Sequence, residues 1–178
     1  MVPDLLAITP GDGRDLVPWL TALARAGLPG VLIREPALDR RSLARLAQIP
    51  VPYVVLHTRN PHAAQLGLPL HGPGCDGVSC HSEAEVNAAF AAGASYALLS
   101  PVWRPTSKPA DTRPPLGLER FLAAAEARPV YALGGLQPDR YRNLRRHGAR
   151  GAVSGALFGA ESPEIAAERL SLFLARGL

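Results

Sequence analysis

The feature that most constrains the fold of this chain is a regular alternation of short apolar runs with helix-like stretches. Eight runs of four to six residues recur along the 178 residues: 5–9, 31–34, 53–57, 68–71, 77–81, 96–101, 130–134 and 151–155. Several of them are apolar without alternation, which is typical of parallel strands that are buried on both faces. The sequence therefore predicts an α/β fold with a parallel sheet.

Helix caps mark the stretches between these runs. Ser82 and Glu85 form a capping box, and Gly93 ends the helix that they begin. Asn60 followed by Pro61 predicts another helix start, because asparagine caps and proline suits the first helical position. Pro138 and the pair Ser162–Pro163 mark two further starts.

Eight strands predict a compact (β/α)8 TIM-type barrel that forms a single domain over residues 1–178. The chain is short for that fold, and the shortage falls between strands four and five. Only residues 72–76 connect them, so the helix there is missing and the connection is expected to be an extended crossover of about 16–18 Å. The alternative architecture is an open doubly wound sheet. Parallel strands left bare at the missing helix would be covered by a second subunit, so we expect a homodimer.

The charge balance favours an anionic small ligand. The formal net charge is +4, and the basic residues comprise 18 arginines and the single lysine Lys108. The densest arginine group is interpreted as the solvent face and end of one helix: Arg140, Arg142, Arg145, Arg146 and Arg150. It accompanies no nucleic-acid-binding module or aromatic platform, so we expect no nucleic-acid partner.

Other classes of protein are disfavoured. No apolar run approaches the roughly 18 residues that span a membrane, and the first residues lack the order of a signal peptide, so we expect a cytoplasmic protein without membrane contact. Cys75 and Cys80 form no disulfide framework, and with His71 and His81 they match no zinc-binding spacing. We therefore expect no metal and no cofactor.

Two glycine-containing turns follow the last two predicted strands. They contain Gly134 and Gly135 after strand seven, and Ser154 and Gly155 after strand eight. The loops after strands seven and eight of a barrel often bind phosphate through backbone N–H groups. The sequence therefore predicts a phosphate site at these turns.

Polar residues end three other strands and extend the predicted site. Arg34 and Glu35 end strand two, His57 ends strand three, and a proline-rich loop with Ser107 and Lys108 follows strand six. Because the C-terminal ends of barrel strands face the site, we expect these side chains near the ligand.

Six segments in series resemble the thiamine-phosphate synthase/TenI family of barrels. They are Ile8–Thr9, LIRE, GVSCHS, PTSKP, LGGL and GAVSGALF, in the family's order along nearly the whole chain. The resemblance implies that Gly134, Gly135, Ser154 and Gly155 bind the phosphate of a thiazole phosphate. It also implies that Ser107 and Lys108 belong to a loop that covers the ligand, and Ser79 of GVSCHS is added as a substrate-binding residue.

The departures from the family pattern favour its TenI-like branch, which tautomerises a thiazole carboxylate phosphate. Synthases need a metal-binding half-site for a pyrimidine diphosphate, but here Pro36 follows Glu35, strand three ends in His57–Thr58, and strand four has no acid. We therefore predict a thiazole tautomerase, an isomerase of thiamine biosynthesis. The proposed histidine of that branch falls at Pro101, so a thiamine-phosphate synthase and a non-catalytic thiazole-phosphate-binding regulator remain alternatives.

Tautomerisation moves one proton off carbon and one onto it, which requires an acid–base group. His57 is the first candidate, and Glu35 would orient it or act as the base. His71 and His81, which also lie near strand ends, are the alternative histidines. Arg34 would hold a substrate carboxylate.

Overall fold

Eight parallel strands close into a barrel in chain order, in a computed structural model that describes residues 2–104 and 112–175. The strands are β1 (Leu5–Ile8), β2 (Gly30–Ile33), β3 (Tyr53–His57), β4 (Leu70–His71), β5 (Gly77–Cys80), β6 (Tyr96–Leu99), β7 (Val130–Ala132) and β8 (Arg150–Val153). β8 pairs with β1, which closes the barrel. The TIM-type barrel is thus confirmed, and the open sheet is wrong.

Helices surround the barrel. They are α1 (Val17–Arg25), α2 (Arg40–Ala47), α3 (Glu83–Ala91), α4 (Leu118–Ala125), α5 (Pro138–Arg146), α6 (Gly155–Phe158) and α7 (Pro163–Leu174), with a 3-10 helix over Ala63–Leu66. The Ser82 side chain accepts from the Glu85 amide at 3.2 Å, and Ser162 accepts from Ile165 at 3.3 Å, as the capping signals predict. No helix in the described ranges is long and apolar enough to cross a bilayer.

The predicted helix start at Asn60–Pro61 leads only to the short 3-10 helix. The Asn60 amide nitrogen donates to the carbonyls of Glu35 and Leu38 at 2.8 and 2.9 Å, while its oxygen accepts from the His62 amide. The buried Asn60 side chain therefore joins this segment to the loop after β2.

Alternation along the strands separates two apolar cores. Leu5, Val31 and Leu56 point outward to the helices and belong to the larger core. The barrel interior holds a second core of Leu6, Ile8, Leu32, Val55, Tyr96, Leu98, Tyr131 and Ala152. The rings of Tyr96 and Tyr131 meet edge to face with centroids 5.6 Å apart. The barrel is thus filled by side chains, and a ligand site can form only at its mouth.

The connection between β4 and β5 contains no helix, as predicted, but it is a tight turn and not an extended crossover. The Gly72 amide donates to the Gly77 carbonyl at 2.8 Å, and the Leu70 amide donates to the Asp76 carboxylate at 3.0 Å. β4 has only two residues, and His71 lies in register with Gly77 at the start of β5. The connection between these two parallel strands therefore has to return along almost none of the length of the barrel.

The outer wall at this connection is only partly bare. Leu70 and Val78 are half-buried, and α3 contacts both β5 and β6. The one strongly exposed large apolar side chain of the described residues is Leu172, on α7. The wall thus offers no large apolar patch, and the homodimer stays a prediction.

Gly77 leaves the space that the Tyr96 side chain fills inside the barrel. A Cβ atom at residue 77 would lie 2.1 Å from Tyr96 Cζ and 2.3 Å from its hydroxyl oxygen. We expect Gly77→Ala to lower the free energy of unfolding by about 1–3 kcal/mol, because the ring has no free volume to move into. Urea unfolding measures the loss.

The matched control combines Gly77→Ala with Tyr96→Leu, which removes the ring atoms that the new methyl group meets. The double variant should lose less stability than the two single losses together. Simple additivity of the losses would contradict this steric explanation.

Candidate ligand site at the barrel mouth

Histidines end two neighbouring strands on one side of the mouth. His57 of β3 lies in register with His71 of β4, and their ring centroids are 5.3 Å apart. The His57 ring is half-buried, and its Nδ1 accepts from the Arg59 amide at 3.1 Å. The neutral imidazole of His57 therefore carries its proton on Nε2. Both histidines are candidates from the sequence, and the structure places their rings side by side.

Burial keeps both imidazoles neutral. Desolvation, with the positive charges of Arg59 and Arg34, lowers the pKa of His57 from 6.5 to about 4. Desolvation, with the neighbouring His57, lowers the pKa of His71 to about 4 as well. At neutral pH both histidine rings on this side of the mouth are thus uncharged.

His71 is the more deeply buried of the two, with 1% of its surface exposed. Its Nδ1 lies 3.0 Å from the Tyr96 hydroxyl, and its Nε2 lies 2.9 Å from the Ser79 hydroxyl. Ser79 itself is exposed on the inner side of β5. The predicted substrate residue Ser79 is therefore accessible and is hydrogen-bonded to a buried histidine.

Arg34 and Glu35 both hold the loop after β1. The Arg34 guanidinium donates to the Pro10 carbonyl at 2.8 Å, and the Arg34 amide donates to the Thr9 hydroxyl at 2.8 Å. The Glu35 carboxylate, 2% exposed, accepts from the Gly11 amide at 2.8 Å. The Glu35 carbonyl accepts from the Asn60 side chain and from the Leu38 amide. Among the described residues, no hydrogen bond joins Glu35 to His57.

The turn after β7 requires glycine at two successive positions. Gly134 and Gly135 have φ values of +96° and +61°, where glycine is favoured. A Cβ atom on Gly135 would lie 2.6 Å from the Arg104 carbonyl oxygen. The turn after β8 leads directly into α6, with the Ser154 carbonyl accepting from the amides of Leu157 and Phe158.

The two turns leave backbone donors available for a ligand. The amides of Gly135 and Gly155 donate to no other residue in 2–104 or 112–175. Neighbouring N–H groups of this kind, at turns and helix starts, bind anions. These two unbonded amides suit the predicted phosphate site at Gly134–Gly135 and Ser154–Gly155, and phosphate binding there stays a prediction.

Arg140 is a residue at the mouth that sequence reasoning missed. Its guanidinium lies over the Trp103 ring, 5.4 Å from the centroid, and donates to the Gly135 carbonyl. Arg142, Arg145 and Arg146 are exposed, as interpreted from sequence, but Arg140 is half-buried. Its place in the first turn of α5, just after the two glycines, was the available signal.

Other polar groups lie near the ends of β5 and β6. His81 Nδ1 is 2.8 Å from the Ser100 carbonyl and also contacts the Arg113 guanidinium. Ser107 and Lys108 lie outside the described residues.

Both cysteines are free, and burial raises the pKa of the Cys80 thiol to about 11. No cluster of three or more His, Cys, Asp or Glu within the described ranges could hold a metal ion.

Comparison with known protein sequences finds similarity to thiamine-phosphate synthases. Residues 70–157 match a family model described as thiamine monophosphate synthase. A thiamine-phosphate synthase from Mycobacterium marinum is 33% identical over 141 residues, or 74% of this chain and 60% of that protein. One from Chloroflexus aurantiacus is 30% identical over 152 residues, or 76% of this chain and 70% of that protein. The chain thus spans about 60% of the length of the first relative.

A solved structure shows the same fold. Thiamine phosphate pyrophosphorylase from Pyrococcus furiosus superimposes with a TM-score of 0.75 at 23% identity, covering 96% of this chain and 95% of that one. At this identity the likeness concerns the barrel, and the contents of the site must be argued from the residues.

The buried His71 predicts a dependence of stability on pH. Its pKa is about 4 in the folded chain and near 6.5 when unfolded, so the unfolded chain binds more protons in this window. Stability should therefore be full above about pH 6.5 and fall toward pH 4, with a His71 contribution on the order of 3 kcal/mol.

Urea unfolding between pH 7.5 and 4.5 measures this dependence. His71→Gln should make the curve shallower and leave the part that His57 contributes, whereas the exposed His147→Gln should leave its slope unchanged. Equal slopes for wild type and His71→Gln would show that His71 is not the group responsible.

Proposed function

The chain belongs to the thiamine-phosphate synthase family, and from that premise we propose that its mouth binds a thiazole phosphate and tautomerises it. One observation supports this proposal above others. Free backbone donors and Arg140 lie at β7 and β8, while two neutral imidazoles lie across the mouth at β3 and β4. A ligand held by its phosphate at one side would present its ring to the histidines at the other.

The phosphate end is supported by charge as well as by geometry. Arg140 donates to the Gly135 carbonyl and packs on Trp103, which fixes a positive charge beside the glycine turn. A guanidinium with one donor engaged keeps further N–H groups for an oxyanion. Under this proposal Ser107 and Lys108 cover the ligand, as the family resemblance implies.

The reacting end would be served by His57. Its Nε2–H is a neutral donor at pH 7, and a neutral imidazole can polarise a substrate without being charged itself. An anionic substrate beside His57 raises its pKa again, because a nearby negative charge favours the imidazolium form. Bound substrate thus brings His57 toward the range in which a general acid–base works well.

Arg34 and Glu35 differ in the roles that they can have at this end of the ligand. Arg34 uses one guanidinium nitrogen on the Pro10 carbonyl, so its remaining donors are available to a substrate carboxylate. The Glu35 carboxylate is engaged by the Gly11 amide, which supports a role in shaping the loop after β1. Glu35 as the base itself stays the second choice after His57.

A thiamine-phosphate synthase is the second candidate, because the similar proteins carry that name. That reaction releases a diphosphate, whose charge is usually neutralised by a metal on carboxylates. The carboxylate nearest the mouth on β2, Glu35, is bonded to Gly11, and the described residues form no metal-ligating cluster. The residues that the structure describes therefore do not fit the metal, and we derive no step through it.

Arg140 provides a direct test of the phosphate end. We expect Arg140→Gln to weaken inorganic phosphate binding about tenfold, because a charge-assisted contact and the support of the Gly135 carbonyl are both lost. Isothermal titration measures the affinity. Arg142→Gln, on the exposed face of the same helix, should bind like wild type, and equal loss in both variants would indicate only a general charge effect.

His57 provides the test of the reaction. We expect wild type to convert the non-aromatic thiazole carboxylate phosphate to its aromatic form, and His57→Asn to reduce turnover at least about tenfold. Phosphate affinity should be nearly unchanged, because the glycine turns lie across the barrel. Absorbance of the aromatic product follows the reaction.

The same wild-type preparation, assayed with thiazole phosphate, a pyrimidine diphosphate and Mg²⁺, should show no coupling. Coupling without tautomerisation would establish the synthase alternative. Ligand binding without either reaction would establish the non-catalytic regulator.

A further inference from the structure

The proposed function leaves one buried polar cluster of the barrel unused. It consists of Tyr96, His71 and Ser79, joined in that order by hydrogen bonds of 3.0 and 2.9 Å. Tyr96 and His71 are almost fully buried, at 0% and 1% exposure, while Ser79 opens to the mouth. The cluster therefore runs from the closed interior of the barrel to its accessible face.

The protons in this cluster can be assigned from the partners available. A neutral imidazole donates from one ring nitrogen and accepts at the other. The buried Tyr96 hydroxyl needs an acceptor, and His71 Nδ1 is the only one that the described residues offer it. Tyr96 thus donates to Nδ1, and His71 must carry its own proton on Nε2. Burial supports this state, since it keeps Tyr96 a phenol by raising its pKa and keeps His71 neutral by lowering its pKa.

The assignment decides what Ser79 can do. His71 Nε2–H donates to the Ser79 oxygen, so no residue within 2–104 or 112–175 accepts the Ser79 proton. With the opposite tautomer, Ser79 would donate to His71 and would resemble an activated nucleophile. The observed partners favour the first arrangement, in which Ser79 is a hydrogen-bond donor toward the mouth.

Resting on the proposed function, we propose that His71 is a positioning residue, held by Tyr96, that presents the Ser79 hydroxyl as a donor to the ring end of the bound thiazole. Ser79 lies on β5, two strands from both β3 and β7, and its hydrogen bond goes to His71 on β4, the strand opposite β8. We therefore assign its partner on the ligand to an acceptor atom of the thiazole carboxylate at the histidine end, and not to the phosphate.

The surrounding backbone fits this cluster. Tyr96 reaches His71 through the space that Gly77 leaves, since a Cβ atom at residue 77 would collide with the Tyr96 hydroxyl. The Tyr96 ring is further fixed by the rings of Tyr131 and His71, with centroids 5.6 Å away in both cases. The hydroxyl that sets the His71 tautomer therefore has little freedom to rotate away.

The first experiment reads the tautomer in the whole wild-type protein without ligand. Histidine labelled with ¹⁵N gives long-range proton–nitrogen NMR spectra that distinguish a protonated from an unprotonated ring nitrogen. His71 should be protonated on Nε2 at pH 7.5. Protonation on Nδ1 overturns the proposal, whatever the protein binds.

The second experiment tests the Ser79 hydrogen bond by measuring, with calorimetry, the affinity for the aromatic thiazole carboxylate phosphate. Ser79→Ala should weaken binding about tenfold or more, as expected for a lost hydrogen bond to a charged group. Its affinity for inorganic phosphate should match wild type. Unchanged affinity for the thiazole compound in Ser79→Ala overturns the proposal.

The third experiment separates positioning from simple structural support. His71→Gln retains an N–H donor toward Ser79 and should keep most of the affinity, whereas His71→Leu should lose as much as Ser79→Ala. The variant Ser79→Ala with His71→Leu should then lose no more than Ser79→Ala alone, and additive losses overturn the positioning role. Absence of any phosphate binding in wild type would instead remove the proposed function, while leaving the tautomer result interpretable.

Discussion

The pairing of β4 is the constraint on which the rest of the mouth depends. This strand has two residues, and His71 must lie in register with both His57 and Gly77 to keep the barrel closed. Because β4 ends level with the start of β5, a tight turn suffices and a helix is unnecessary. The same register places the His71 side chain inside the barrel, beside His57 and within reach of Tyr96. The short connection between β4 and β5 and the buried contact between His71 and Tyr96 thus both follow from the register of β4.

The two sides of the mouth differ in electrostatic character. At β7 and β8 the groups are backbone donors and a guanidinium, which suit a permanent anion. At β3 to β5 the groups are imidazoles kept neutral by burial and a hydroxyl, which suit an acceptor whose charge changes during reaction. This asymmetry would orient a ligand with one phosphorylated end, because exchanging its ends would place the phosphate among groups that cannot neutralise it.

The sequence predicts well those features that depend on neighbours along the chain. Strand positions, capping at Ser82 and the glycine turn at Gly134–Gly135 follow from local pattern and backbone preference, and the structure places them as expected. The sequence predicts a solvent-facing Arg140, because helical periodicity does not show that its side chain turns back to Gly135 and Trp103, and only its position just after the glycine turn indicates a place at the mouth. The partners of Glu35 and His71 are likewise set by residues 24 or 25 positions away, which no local pattern specifies.

The division of the mouth also explains how a barrel of this family can change its chemistry. The glycine turns are tied to closure and packing, since a side chain at Gly135 would meet the Arg104 backbone. The residues at the ends of β2 to β5 contribute mainly their side chains, so a different side chain at a position such as His57 or Thr58 would leave the barrel intact. Under the proposed function no carboxylate is needed to hold a metal against a diphosphate, and neutral imidazoles would supply the means to move a proton. Under the proposed function, a half of the mouth that holds phosphate through the backbone and a half whose side chains can be exchanged would together suffice for a proton-transfer enzyme built on this barrel.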